Sequence, residues 1–419
     1  MTKFLRFTAV LYIVLLPFEM FKIPYLHMSL SKYILLILIV LLVVEKIILQ
    51  KITSLRMFLV CSGLFFSVLI SSGYSYFTQV FYVDKFIVFS VSFLVGIFIL
   101  YAYFDLISTG VLTKKNCVAL IKYSVLAIFL FAFYNVFSTF FLHTAPFSFL
   151  GGEYFQPLDS NIKIANGHRI FLPTGTPPRL AFIVGEIALV LFSLVLFQRP
   201  KRNIYHSILL MVSIILILLT GSRSGLLPLI LSCAVLVLSH LIYGNRLRAL
   251  KTIGFFLLLM PIIFTAAQGF LSETRGLSFD FSEGTSLARH IAIRWEALQA
   301  IHNSPFITNL IGHGTGQFGN FSDSPYTFTM LLTVFFENGV PAAIFLVIIF
   351  IWMVRGYMTS YFKYNSPANK AMYFSLGIYL FCSNLFYELK AEPYMWVSFA
   401  FIIALPRCEN ENIRNNNVL

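Results

Sequence analysis

The residues able to do chemistry in this 419-residue chain fall in a few short stretches. Arg179 follows Pro177-Pro178, and Glu186 lies seven residues on, two turns along the same face of any helix that begins there. Ser222-Arg223-Ser224-Gly225 sets one arginine among small residues that let the backbone come close to a ligand. Arg289, His290 and Arg294 belong to the stretch Ser286–His302, in which His290 and Arg294 share a helical face. Gly312-His313-Gly314-Thr315-Gly316 follows, then Asp323-Ser324-Pro325-Tyr326, and a helix running to Glu337-Asn338-Gly339. Guanidinium groups suit phosphate because their planar fork binds two oxygens at once. A neighbouring imidazole or carboxylate can take a proton from a hydroxyl. The residue types therefore point to handling an anion, with His290, His313, Asp323 and Glu186 as candidate bases. A plainer reading makes Arg179 and Arg223 interfacial cations, pairs Glu186 with another helix and solvates the polar face of 286–302.

Other chemistries find little support. The Gly-x-Gly-x-Gly run has no strand before it, so it is not a dinucleotide fingerprint. Five cysteines are scattered without paired spacing, so neither a disulfide framework nor a metal site is expected, and no cofactor is implied.

The elements that must position these residues are membrane helices. The chain is 58% hydrophobic and only 11% charged, far from the roughly 25% charged residues of a soluble domain. Apolar runs predict about 12 spans near 6–26, 29–49, 57–80, 85–106, 117–142, 179–198, 204–221, 225–243, 252–268, 327–353, 371–389 and 394–406. The expected fold is an all-α, polytopic transmembrane bundle, with residues 1–419 as a single integral-membrane domain. Because residues 18–25 offer no small-residue cleavage site, the N-terminal run is read as a retained first helix. The net charge of +13 must be read against the bilayer before nucleic acid is considered, and no nucleic-acid partner is expected. Short connections at 198–203 and 243–251 carry three basic residues each, which places both termini on the cytoplasmic side. Two long segments, 143–178 and 268–326, then lie outside. The second should contain an amphipathic helix at about 287–302, with the stripe Ile291, Trp295, Leu298 and His302 turned onto the bundle. The long loops hold nearly all the non-cytoplasmic Arg and His.

Taken in order, Ser222-Arg223-Ser224-Gly225, Arg289 to Trp295, Ser304-Pro305-Phe306, Gly312 to Phe318 and Glu337-Asn338-Gly339 resemble the O-antigen polymerase and ligase superfamily. The resemblance covers roughly residues 179–345. It implies a metal-independent glycosyltransferase of the bacterial inner membrane that uses undecaprenyl-pyrophosphate-linked glycans at the periplasmic face. It also implies membrane lipid as a partner and a chain-length regulator protein as a candidate one. By motif match Arg223, Arg289 and Arg294 would bind the pyrophosphate, joined by Arg179 from its position and by Tyr326 as a substrate contact. Ligases resembling this chain open the helix before Glu-x-Gly with a His-Asn pair. Here Asp323-Ser324-Pro325-Tyr326 stands in that place, about a turn further from Glu337. The departure favours the polymerase branch, with a ligase as the alternative within the superfamily. A flippase for lipid-linked oligosaccharides is the alternative from another class, and it would need charge along a central cavity. Peptidoglycan polymerases, with a comparable Gly-x-Gly turn and Glu-x-x-Gly helix, are a more distant likeness.

Overall fold

The computed structural model describes residues 2–18, 22–23, 28–49, 54–113, 177–197, 203–220, 222–243, 286–322, 329–363, 367–386 and 392–416, with parts of 116–134 and 246–254 and residues 324 and 327. Twelve helices are labelled in chain order: α1 Thr2–Leu15, α2 Leu30–Leu49, α3 Leu55–Thr78, α4 Val83–Ser108, α5 Pro177–Phe197, α6 Asn203–Thr220, α7 Arg223–Tyr243, α8 Ser286–Asn303, α9 Phe306–Ile311, α10 Met330–Lys363, α11 Pro367–Phe386 and α12 Pro393–Asn416. Further helical residues lie between 116 and 134. The two-residue pairing of Lys22–Ile23 with Met28–Ser29 is the one strand contact among the described residues. The fold is all-α.

Five of these helices contain stretches long and apolar enough to cross a membrane: Leu55–Thr78, Val83–Ser108, Pro178–Leu196, Gly225–Ile242 and Met330–Arg355. Shorter apolar helices run over Ile204–Leu218, Ala371–Leu385 and Pro393–Pro406. These properties mark a membrane-embedded protein. Most helix ends fall within three residues of the apolar runs, because Pro, Ser and charged residues close them. The first span is shorter than expected. Pro17 carries no N–H and ends α1 in a single 3-10 turn, Leu16–Phe18.

Glycines and aromatic rings set the packing. Gly96 on α4 lies directly against the Trp396 indole of α12, where any Cβ would collide. Trp396 is fully buried and meets Phe93 at 5.9 Å between ring centroids. Gly63 on α3 receives Phe345 of α10 in the same way. Helix α5 is central: 83% of its apolar window lies inside the protein, against 33% to 44% for the other four. Side chains such as Phe66, Ile70, Val88 and Ile230 face outward, as lipid requires.

The bundle has two distinct ends. At one, Arg6 Nε donates to the Val111 carbonyl at 2.7 Å, and Lys46 pairs with the buried Asp105 at 2.7 Å. At the other, α3 and α11 finish while α4, α5, α7, α10 and α12 begin. That second end carries the candidate residues.

Candidate functional site

Arg179 opens α5 and forms an ion pair with Glu392, which immediately precedes α12. Arg223 opens α7. Two residues into that helix, Gly225 packs on Ala181 of α5 so closely that an added Cβ would lie 2.5 Å from the Ala181 Cβ. The backbones at Arg179 and Arg223 are thereby held side by side. Tyr379 of α11 locks the same place by donating its hydroxyl to the Phe182 carbonyl at 3.0 Å. Arg294 reaches from α8 to the end of α11, where its Nη2 donates to the Leu385 carbonyl at 2.5 Å. Thr329, just before α10, donates to the same carbonyl at 3.4 Å. Arg294 and Arg179 thus meet the chain on either side of residues 387–391. Arg289 is exposed on α8, and His290 lies beside both arginines. Burial first, then the positive charges of Arg294 and Arg289, hold the His290 pKa below its ordinary value. Burial also lowers that of Arg294.

The glycine-rich run makes a different structure. Helix α10 breaks at Gly339, whose φ of 76° and ψ of −174° no helix contains. The break strands the carbonyls of the preceding turn, which need donors. His313 N–H donates to the Phe336 carbonyl at 2.9 Å and Gly314 N–H to that of Glu337 at 2.8 Å. Gly312 and Gly339 touch backbone to backbone: a Cβ on Gly312 would sit 2.6 Å from the Gly339 nitrogen. Pro341 follows, a residue suited to the first turn of the resumed helix. Asn338 then donates to Thr315 Oγ1 at 2.6 Å and to Ser71 Oγ at 3.1 Å, tying α10 to the turn and to α3. Gln317 grips the backbone of Tyr82 from both sides, accepting from its N–H at 2.9 Å and donating to its carbonyl at 3.1 Å.

His313 is buried in this joint. Its ring stacks on Phe336 at 4.2 Å and meets the edge of Phe321. Ser304 donates to the Ala300 carbonyl and so accepts from the His313 Nε2–H at 3.1 Å, while Gln79 Oε1 lies 3.4 Å from Nδ1, which carries no proton in that tautomer. Burial pushes the His313 pKa down to about 4, so the ring is neutral near pH 7.

Glu186 occupies a third setting. It lies nine residues into α5, roughly 13 Å along the axis at 1.5 Å per residue. Ser398 of α12 donates to its Oε2 at 2.7 Å. Its Oε1 is buried without a hydrogen-bond partner among the described residues, and the residue borders a mainly apolar cavity between α5, α11 and α12, closed also by Ile13, Leu120 and Ser124.

The structure therefore brings Arg179, Arg223 and Arg294 to one end, with Arg289 and His290 on the adjoining helix. His313 lies in the joint on the α3–α4 side, and Glu186 lies deeper among α5, α11 and α12. Asp323 and Tyr326 lie outside the described residues, as do most of the expected loop 143–178 and residues 268–285 of the expected loop 268–326. Of Arg223 the helix position alone is described. One expectation is corrected. The α8 stripe Ile291, Trp295, Leu298 and His302 faces away from the bundle, with Trp295 61% exposed. Ile293 and Ala297 pack instead on Phe318 and Phe336. The helix carries two apolar stripes, and the one with the small Ala297 allows the closer approach.

Sequence reasoning missed Glu392 and Ser398. Glu392 had a visible signal: Glu-Pro and Pro-Pro-Arg open two helices with opposite charges at equivalent depth. Ser398 had none, being an ordinary small residue in an apolar run. Among the described residues no group of three or more His, Cys, Asp or Glu could hold a metal ion. The fold and its polar end define a membrane-embedded helical protein with an arginine-lined end. No protein-family model matches the chain, and no curated protein sequence matches it.

Proposed function

We propose that the chain is an O-antigen polymerase of the bacterial inner membrane, joining undecaprenyl-pyrophosphate-linked repeat units at the periplasmic face. In this reading about 12 spans cross the membrane, both termini are cytoplasmic, and the arginine-bearing end faces the periplasm. The observation that carries it is the gathering of Arg179, Arg223 and Arg294, from three separate motifs, at one end of the bundle.

Departure of a pyrophosphate builds negative charge on its oxygens, and preorganised guanidinium groups stabilise that charge most where water is scarce. Arg294 and Arg179, anchored on either side of 387–391, would hold the donor, with Arg223 and Arg289 completing the clamp and Tyr326 contacting substrate. An acceptor sugar hydroxyl must lose a proton as it attacks the anomeric carbon. His290 is the histidine that suits this step. Burial, and then the two arginines, lower its pKa and so favour the form that can accept a proton, and those arginines would lie next to the leaving group. Asp323 remains a second candidate base. The His313 Nε2–H bond to Ser304 and the stacking of the ring on Phe336 favour a role in positioning the joint.

The test is the lipopolysaccharide banding pattern of a strain lacking this gene. Core carrying a single repeat unit is the expected result. Bare core with polymerised lipid-linked chains would indicate a ligase. Bare core with units stranded on the cytoplasmic side would indicate a flippase.

A further inference from the structure

The hairpin of α8 and α9 carries an apolar face that the bundle does not use. On α8 its outward side chains are Ile291, Trp295 and Leu298; on α9 they are Phe306, Ile307 and Leu310, with Phe306 79% exposed. Glu296, Gln299 and Asn303, spaced by three and four residues, fall together on the next flank of α8, so the helix is amphipathic on its outer side too.

The hairpin does not stand clear of the spans. Ile293 and Ala297 pack on Phe336, six residues into α10, and Gly312, which ends α9, lies against Gly339, nine residues in. At 1.5 Å per residue these contacts fall roughly 9 Å and 13 Å along a helix whose apolar span begins at Met330. Tyr74 of α3 shares a hydrogen bond of 3.2 Å with Thr308 of α9, four residues before another apolar span ends at Thr78. Beside it Phe77, 85% exposed, continues the outward row of Phe66 and Ile70. The apolar face of the hairpin thus adjoins the lipid-facing surface of the bundle.

The backbone suits the same surroundings. Irregular backbone at membrane depth is tolerated only where protein buries it, because its polar groups find no partner in lipid. Here the segments that carry the exposed side chains are helical, and the irregular stretch Gly312 to Gln317 is buried throughout. At the link between the two helices Pro305 has no N–H to satisfy. Asn309 Nδ2 completes the end of α8 by donating to the carbonyls of Ile301 at 2.8 Å and Ser304 at 3.4 Å.

We propose that this face is a membrane-seating surface whose occupant is lipid: its apolar side chains lie at the headgroup–acyl boundary of the adjoining leaflet, with the polar flank of α8 toward water. Interfacial helices bury their apolar face about 5–10 Å into that boundary, and Trp and Tyr collect there because each joins an apolar ring to a polar tip. Trp295 and Tyr76 occupy such places. The proposal does not depend on the transfer reaction. It sets Arg289, exposed on α8, near the headgroups, where lipid phosphates lie.

Bimane attached to the full chain at Trp295→Cys, at Phe306→Cys and, as a lipid-facing reference, at Ile70→Cys tests this in nanodiscs of phosphatidylcholine and phosphatidylglycerol. Labelling of the native cysteines, measured on wild type, is subtracted. Phosphatidylcholine with a doxyl group near the headgroup should quench the first two at least as strongly as it quenches the reference. Iodide in the water should quench them about five-fold less than it quenches the free dye. Both substitutions replace exposed side chains, so the thermal midpoint in detergent should match wild type; where one variant does not fold, Ile291→Cys or Ile307→Cys takes its place. Iodide quenching close to that of the free dye at either position would put the hairpin in water and overturn the proposal. Shielding from both quenchers would mean that protein, a second copy of the chain included, covers the face, and would overturn it as well.

Discussion

The glycine joint and the Glu186 cavity both bury polar groups within one bundle, yet the joint carries a dense polar network and the cavity a single carboxyl among apolar walls. At the joint, residues that look chemical in the sequence are turned onto their neighbours: Asn338 holds Thr315 and Ser71, Gln317 clamps the Tyr82 backbone, and His313 donates to Ser304 and stacks on Phe336. At the cavity a single glutamate accepts from Ser398 of α12, one polar cross-link among apolar walls. Residue type is the same kind of evidence in both places. Unmet atoms do not separate the two, since Asn338 Oδ1 and Ser75 Oγ at the joint also lack a hydrogen-bond partner among the described residues; what separates them is the number of cross-links that tie the joint's helices together.

The contrast is broken most severely at the joint's backbone. Gly339→Ala must place a Cβ 2.6 Å from the Ile311 carbonyl oxygen at a φ of 76°. A loss of about 3 kcal/mol or more is expected, and with it the folded protein. Monodispersity after extraction and the thermal unfolding midpoint check it; a variant as stable as wild type would mean that the joint is not rigid. Asn338→Ala, which removes two side-chain hydrogen bonds and leaves Thr315 and Ser71 to find others, should cost about 1–3 kcal/mol in the same measurement.

A pH series sharpens the comparison. His313 has a pKa of about 4 in the folded protein against an ordinary 6.5, so between those values the unfolded chain binds more protons. Stability from this group is complete above about 6.5 and is lost as pH falls toward 4. His313→Gln should flatten that slope; an unchanged slope would place the proton uptake elsewhere. His290 is shifted the same way and adds to the same limb, so the effect should be read in a His290→Gln background. As a base, His290 should keep catalysis active somewhat below pH 6.5. An acidic limb of the activity profile above 6.5 would remove it from that role.

The smallest effect belongs to the outward stripe of α8. Trp295→Ala should change stability by less than about 0.5 kcal/mol, since the ring is 61% exposed. Had the expected face packed on the bundle, the loss would approach the 3–5 kcal/mol of a buried tryptophan.

Helix positions were largely legible in the sequence. The expected runs 57–80, 179–198 and 225–243 match α3, α5 and α7 because long apolar stretches flanked by Pro, Ser and charge leave little freedom. The amphipathic run 287–302 matches α8 almost residue for residue, but which of its two stripes packs inward depended on the shape of Phe318 and Phe336, which no local pattern encodes. Likewise, Arg179, Arg223 and Arg294 were visible as separate motifs. Their gathering rests on Glu392, Ala181 and Leu385, each far along the chain from the arginine-bearing helix it helps to place; Glu392 carried a signal in its charge before a proline, whereas Ala181 and Leu385 carried none. The Glu186–Ser398 contact spans 212 residues, beyond any spacing argument.

The central claim is that the gathered arginines bind the leaving pyrophosphate, and complementation of the deletion strain with Arg294→Ala, Arg223→Ala, Arg289→Ala and Arg223→Lys tests it directly. The account predicts that each alanine variant, present in the membrane at wild-type amounts, yields core with a single repeat unit and no long chains. Arg223→Lys should restore the ladder only in part, because a point charge lacks the bidentate fork. A normal ladder in all three alanine variants would contradict the claim.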